Sequence, residues 1–105
     1  MLQLQSNFIF PPIKLGYSVG DGKVAQKHLE FYRERNNYIG AITPEPLYMD
    51  PGLRELPTQL GIDDDSKIEG LKVLNETLHQ NGAKSIAHLN HPGRMTNPKI
   101  GKITK

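Results

Sequence analysis

The residues best suited to chemistry fall in one stretch, Lys84 to Arg94, which reads KSIAHLNHPGR. Lys84 to Leu89 has the small and apolar pattern of a short buried strand, and two imidazoles (His88, His91) and one guanidinium (Arg94) gather where it stops. Pro92 cannot donate to a sheet ladder and Gly93 permits a sharp turn, so the strand must end there. Imidazoles at such an edge can move protons, hydrogen-bond a ligand or hold a metal. Spacing disfavours the metal, because residues i and i+3 of a strand point to opposite faces unless the chain turns between them.

Other candidates carry blander readings. Glu45 lies between Pro44 and Pro46. It could serve as a general acid, but a structural carboxylate at a strand edge, paired with a nearby base, is the preferred reading. Asp63, Asp64 and Asp65 precede a helix, where carboxylates complement the helix dipole in a solvated loop more readily than they bind a cation. His28 and His79 fall on helices, as surface or stem-buried residues without a catalytic role. There is no cysteine, hence no thiolate nucleophile, disulfide or Cys-ligated zinc, and no glycine cluster matches a phosphate-binding loop.

The elements that must position these groups alternate. A β-rich run predicts a strand at 8–10, stopped by Pro11, and a glycine-punctuated loop follows from Lys14 to Gly22. Helical spacing runs from Val24 to Asn37. Tyr38 to Thr43 predicts a second strand, apolar enough for burial on both faces, as parallel sheets require. Leu47 to Asp65 is a loop of the length usually reserved for function or disorder. Ser66 and Glu69 form an S-x-x-E capping box with Ser66 as N-cap. Behind it Ile68, Leu71, Leu74 and Leu78 make a buried stripe broadened by Val73, and Asn81-Gly82 supplies a left-handed stop. The order is therefore β-loop-α-β-loop-α-β, three strands joined by parallel crossovers, with ligands expected at the C-terminal edge. Residues 1–94 read as one unit and 95–105 as a frayed polar tail.

Composition narrows the class. Thirteen Lys and Arg against eleven Asp and Glu leave a net charge of +2, too mild for nucleic acid, and no basic run is interleaved with aromatics. No basic segment leads into an apolar one near Met1, and no apolar run approaches the ~18–20 residues of a membrane span, so a soluble cytoplasmic protein is expected. Hydrophobic content of 36% is low beside the ~45–50% of globular domains. That suits a piece whose core is completed elsewhere, although a loop-rich intact domain would read the same way.

HLNHPGR at 88–94 closely resembles the QLxHxGR strand end of the old yellow enzyme family, particularly its NADH:flavin oxidoreductase and 2,4-dienoyl-CoA reductase-like branch. FPPIKLGYS at 10–18, HLEFYRER at 28–35 and ITPEPLYMDPGLRELPTQLGI at 42–62 resemble the same family, in the same order and spacing. The resemblance implies an FMN enzyme on a TIM barrel that reduces activated alkenes or enoyl substrates with hydride from NAD(P)H. Matched position by position, Pro12, Ile13 and Lys14 fall where the first strand's end lies along the flavin. Pro46 falls on a small-residue position near the ring, His88 on a glutamine that hydrogen-bonds the flavin's pyrimidine edge, and Tyr17 on the substrate side.

Departures from the family pattern are physical ones. Histidine at 88 cannot reproduce a bidentate glutamine. Lys14 replaces a Thr or Cys and would favour reduced, anionic flavin. Ala25 stands where a Thr or Ser usually caps the first helix. A TIM barrel needs ~250 residues, so the resemblance implies only its first three strands and two helices. The family's substrate-anchoring His/His or His/Asn pair, its tyrosine proton donor and its phosphate loops all fall after the third strand, and no catalytic residue is assigned. Three readings stay open: the N-terminal part of such an oxidoreductase, inactive alone; a subunit of a split barrel whose other strands come from a partner chain; and a non-enzymatic α/β binding or assembly module.

Overall fold

A computed structural model describes residues 4–91. The turn at Pro92 to Arg94 and the tail expected at 95–105 lie outside the described residues. In chain order the elements are β1 (Ile9–Phe10), α1 (Gln26–Arg33), β2 (Ala41–Ile42), β3 (Leu47–Tyr48), α2 (Ile68–His79), β4 (Lys84–Ser85) and β5 (Leu89–Asn90). Single 3-10 turns lie at Pro51–Leu53 and Asp65–Lys67. The first sheet is parallel in the order β1-β2-β4, with Ile9 opposite Ala41 and Ala41 opposite Lys84. Ala41 and Ile42 are each 1% exposed, the burial on both faces that their apolarity requires.

The strand expected over 84–89 is two strands, and the reason is local. Lys84 N–H donates to the Gly40 carbonyl and Ile86 N–H to that of Ile42. The ladder's next bond would come from the amide of residue 44, which is proline and has none. The chain leaves β2 there and resumes pairing beyond the prolines, where Leu47 N–H reaches the His88 carbonyl at 2.8 Å and β3 runs parallel to β5. The loop over 47–65 is accordingly not free. Tyr48 N–H donates to Leu60, and Ile62 N–H to Tyr48, laying 60–62 along β3. Gly61 is what lets that segment close in, since a Cβ there would meet the Tyr48 ring at 2.3 Å.

Both helices are shorter or capped differently than the pattern suggests. Ala25 is the N-cap of α1 and offers no side-chain acceptor; Nδ1 of His28 takes the Ala25 N–H instead, at 2.9 Å. Ahead of α2 the side-chain cap is made by Asp64, at the 3-10 turn that leads into the helix, and not by Ser66; Lys67, the N-cap of α2 itself, makes no side-chain bond to the helix. The extended backbone of Asp64 aims its carboxylate at the Ser66 N–H, 3.1 Å away. Asp63 is likewise not solvated but binds Lys67 at 2.8 Å, with both side chains largely buried. That hydrogen bond raises the Lys67 pKa against the opposing effect of burial.

Leu74 and Leu78 join Tyr32, Ile42, Leu47, Leu60 and Ala83 in the core, and Leu71 packs against its edge. Ile68 and Val73 do not join it: they are 59% and 44% exposed. The C-terminal ends of the two helices are tied by buried Asn36, which donates to the Thr77 carbonyl and accepts from Asn81. Gly82, at φ +91°, makes the left-handed stop. Among the described residues no helix is long and apolar enough to cross a membrane.

Candidate functional site

The C-terminal ends of the strands bring Lys14, Glu55 and Asn90 into one polar cluster. Lys14 leaves β1 after three residues, and its Nζ pairs with Glu55 Oε2. Asn90, on β5, donates to Glu55 Oε1 at 3.3 Å. The Lys14 hydrogen bond holds the Glu55 carboxyl below its ordinary range; the Asn90 bond and the charges of Lys14 and His88 add to this, and burial opposes it. Glu55 is held from behind by Gln59, whose Oε1 accepts the Glu55 N–H at 2.7 Å while its Nε2 donates to the Pro46 carbonyl at 3.0 Å. Gln59 is fully buried, so this brace links the Pro46 backbone to the lysine–carboxylate pair.

Of the residues singled out from sequence, Lys14, Pro46 and His88 therefore share this edge, with half-buried Pro12 and 43%-exposed Ile13 on the same segment as Lys14. Tyr17 lies elsewhere. Its ring packs edge-on against His28 at 5.5 Å and Phe31 at 6.4 Å, with Lys27 Nζ 5.9 Å above it. Sequence reasoning missed Glu55, Gln59 and Asn90. The available signal was the length of the 47–65 loop, which marked it as functional without saying which of its polar side chains turn inward.

Beneath the edge lies a second polar group with no exposed side-chain surface. His28 Nε2 is 3.2 Å from Glu45 Oε2, and both side chains are 0% exposed. Because Nδ1 accepts from Ala25, the ring hydrogen sits on Nε2 and is donated to the carboxylate. Glu45 Oε1 accepts the Leu60 N–H, and the Glu45 N–H donates to the Tyr32 hydroxyl at 2.8 Å. Burial pushes the Tyr32 hydroxyl pKa well above its ordinary value. The base that pairs with Glu45 is thus His28, and together they join α1, the end of β2 and the 47–65 loop.

Parallel strands with intervening helices, and polar side chains converging at the strand ends, define the first β/α units of a TIM barrel with a ligand edge at its mouth. Solved structures share that fold. A 2-naphthoyl-CoA reductase complex superposes with a TM-score of 0.86 at 22% identity, over 91% of this chain and 15% of its own. The old yellow enzyme from Trypanosoma cruzi gives 0.81 at 26% identity, over 92% and 26%. The chain belongs to the NADH:flavin oxidoreductase / NADH oxidase family, whose sequence profile matches residues 1–100. It is 35% identical over 99 residues to an NADH:acrylate oxidoreductase from Vibrio harveyi and 32% identical over 101 residues to an NADH oxidase from Thermoanaerobacter brockii. Those matches cover 94% of this chain but only 10% and 16% of the relatives. It corresponds to the N-terminal part of such oxidoreductases, an incomplete barrel.

Proposed function

We propose that this chain supplies the ring-side wall of an FMN site in a cytoplasmic NAD(P)H:flavin oxidoreductase acting on activated alkenes. The observation that carries the reading is the convergence of Lys14, Glu55 and Asn90, with His88 and Pro46, at the strand ends. The donor set suits the group. An isoalloxazine presents acceptors and one N–H along its polar edge; Lys14, His88 and Asn90 offer donors, and Glu55 an acceptor. Pro12, Ile13 and Pro46 offer apolar packing. FMN bound there would supply the chemistry of hydride transfer from a nicotinamide to the alkene. The chain's own part is to orient the ring, to place a cation beside it through Lys14, and to hold the Pro46 backbone through Gln59. Tyr17 is proposed as a substrate contact on the family match alone, since its ring packs on α1.

The same geometry argues that the chain does not hold FMN unaided. Each neutral contact is worth ~0.5–1.5 kcal/mol net, whereas micromolar affinity needs ~8 kcal/mol after the cost of immobilising the ligand. The phosphate calls for charge-assisted partners, and Arg54 is engaged: it donates to the Pro51, Pro57 and Gly20 carbonyls and lies over the Tyr48 ring. FMN titrated into the purified chain should leave flavin fluorescence unsaturated at low micromolar concentration. Saturable quenching in that range, abolished by His88→Ala, would show that this wall binds flavin by itself.

A further inference from the structure

Glu55 is restrained more than a surface partner of Lys14 needs to be. Lys14 Nζ pairs with Oε2, Asn90 donates to Oε1 at 3.3 Å, and buried Gln59 accepts the Glu55 N–H at 2.7 Å. Both carboxylate oxygens and the backbone are thus engaged, from β5 and from the 47–65 segment itself, and the carboxylate is fixed against the amine. The pair is still reachable: the Lys14 and Glu55 side chains are 36% and 21% exposed, and Ile13 next to them in the chain is 43% exposed. A lysine at such an edge becomes a nucleophile once its nitrogen is neutral. The chain has no cysteine to react in its place.

We infer that Glu55 guards Lys14 against alkylation: Lys14 is the amine at this edge that an activated alkene would modify, and the fixed carboxylate keeps its nitrogen protonated. The inference rests on the proposed reading of this edge as an alkene-reducing site, where electrophilic alkenes come close to the wall. The step guarded against is conjugate addition. Neutral Nζ bonds to the β-carbon of an alkene conjugated to a carbonyl, the carbon–carbon π bond opens, and its electron pair passes to the α-carbon. That carbon takes up a proton and the nitrogen gives one up, so neither oxidant nor reductant is consumed. An ammonium has no lone pair with which to form the first bond, and deprotonating Nζ would forfeit its charge-assisted hydrogen bond to Oε2. Glu55 acts through Lys14 and is a positioning residue. It leaves the cation at the edge while withholding the nucleophile.

The test is the rate at which methyl vinyl ketone adds to individual lysines of the purified chain, kept dilute at mildly alkaline pH and followed by peptide mass spectrometry. Lys72 and Lys84, both exposed, serve as internal references. Glu55→Gln should raise the Lys14 rate about two- to fivefold, the range that an exposed ion pair supports, with the reference rates unchanged. An unchanged Lys14 rate overturns the inference. So does an equal rise at all three lysines, which would mean a loosened fold rather than a lost guard. The wild-type chain supplies an independent arm. Raising the salt to about 1 M screens the pair, so the Lys14 rate should gain on those of Lys72 and Lys84, and a constant ratio overturns the inference as well. Neither arm contains flavin: a guard that fails here leaves the FMN titration to decide the flavin reading, and a flavin reading that fails there does not alter the Lys14 rates.

Discussion

His28 and Glu45 share a bond that each needs, because neither can reach water. Removing one partner strands the other, a loss of ~3–5 kcal/mol for a buried pair. His28→Ala should therefore lower the urea midpoint severely. Glu45→Gln keeps one of the two acceptors but turns an NH2 toward the other donor, so it should lose one bond and cost less. An unchanged midpoint for His28→Ala would refute the pairing. At the site edge, Glu55 makes a pH-dependent contribution whose sign follows from its lowered pKa. A carboxyl more acidic in the folded state stabilises above its unfolded value, ordinarily 4.5, and that stability is lost as pH falls through the lowered folded pKa. The stability gap between wild type and Glu55→Gln should be present at pH 7 and close in acid, remaining below ~1 kcal/mol because the pair is partly exposed. A gap that widens in acid would reverse the assignment. Glu45 was legible as a structural carboxylate wanting a base. Its base was not, because helical periodicity says which side a residue faces, not which strand end lies opposite.

At the scale of elements, the start of α2 separates two readings that sequence alone could not. The S-x-x-E pattern nominates Ser66, yet Asp64 makes the bond. Asp64→Ala should cost ~0.5–2 kcal/mol of stability, the usual worth of a cap, and Ser66→Ala should fall within ~0.5 kcal/mol of neutral. Thermal melts of the two variants check this, and equal losses would restore the serine cap. The strand that broke in two teaches the same lesson. Its composition supports strand throughout 84–89, but its partner presents Pro44 where a donor is needed, and pairing depends on both strands. The 47–65 segment was legible as a long loop. That it carries a strand and folds back along it depends on Tyr48 meeting Gly61, residues far apart in local pattern.

Over the whole molecule, both edges of the β1-β2-β4 sheet are open among the described residues, and apolar side chains stand exposed along them, Phe8 and Ile9 at one edge and Ile86 at the other. Open parallel edges with apolar neighbours template association. Without a complementary barrel the purified chain should therefore self-associate without reaching a discrete stoichiometry. Sedimentation velocity over a range of concentrations tests this: the weight-average coefficient should climb steadily, and a sharp, invariant monomer boundary at high concentration would contradict it.

The amino-acid sequence by itself determined the alternation of strands and helices, the parallel order, the proline and glycine boundaries, and a family signature spread across nearly the whole chain. Those features are local, written in periodicity, backbone restriction and motif spacing. Only the tertiary structure decided that Lys14 faces Glu55, that Gln59 braces Pro46, that His28 serves Glu45, and that Ile68 lies outside the core it seemed to belong to. Each of these depends on where a second, distant segment comes to rest. Side-chain pairing and burial belong to the packed sheet rather than to any stretch of the chain read alone.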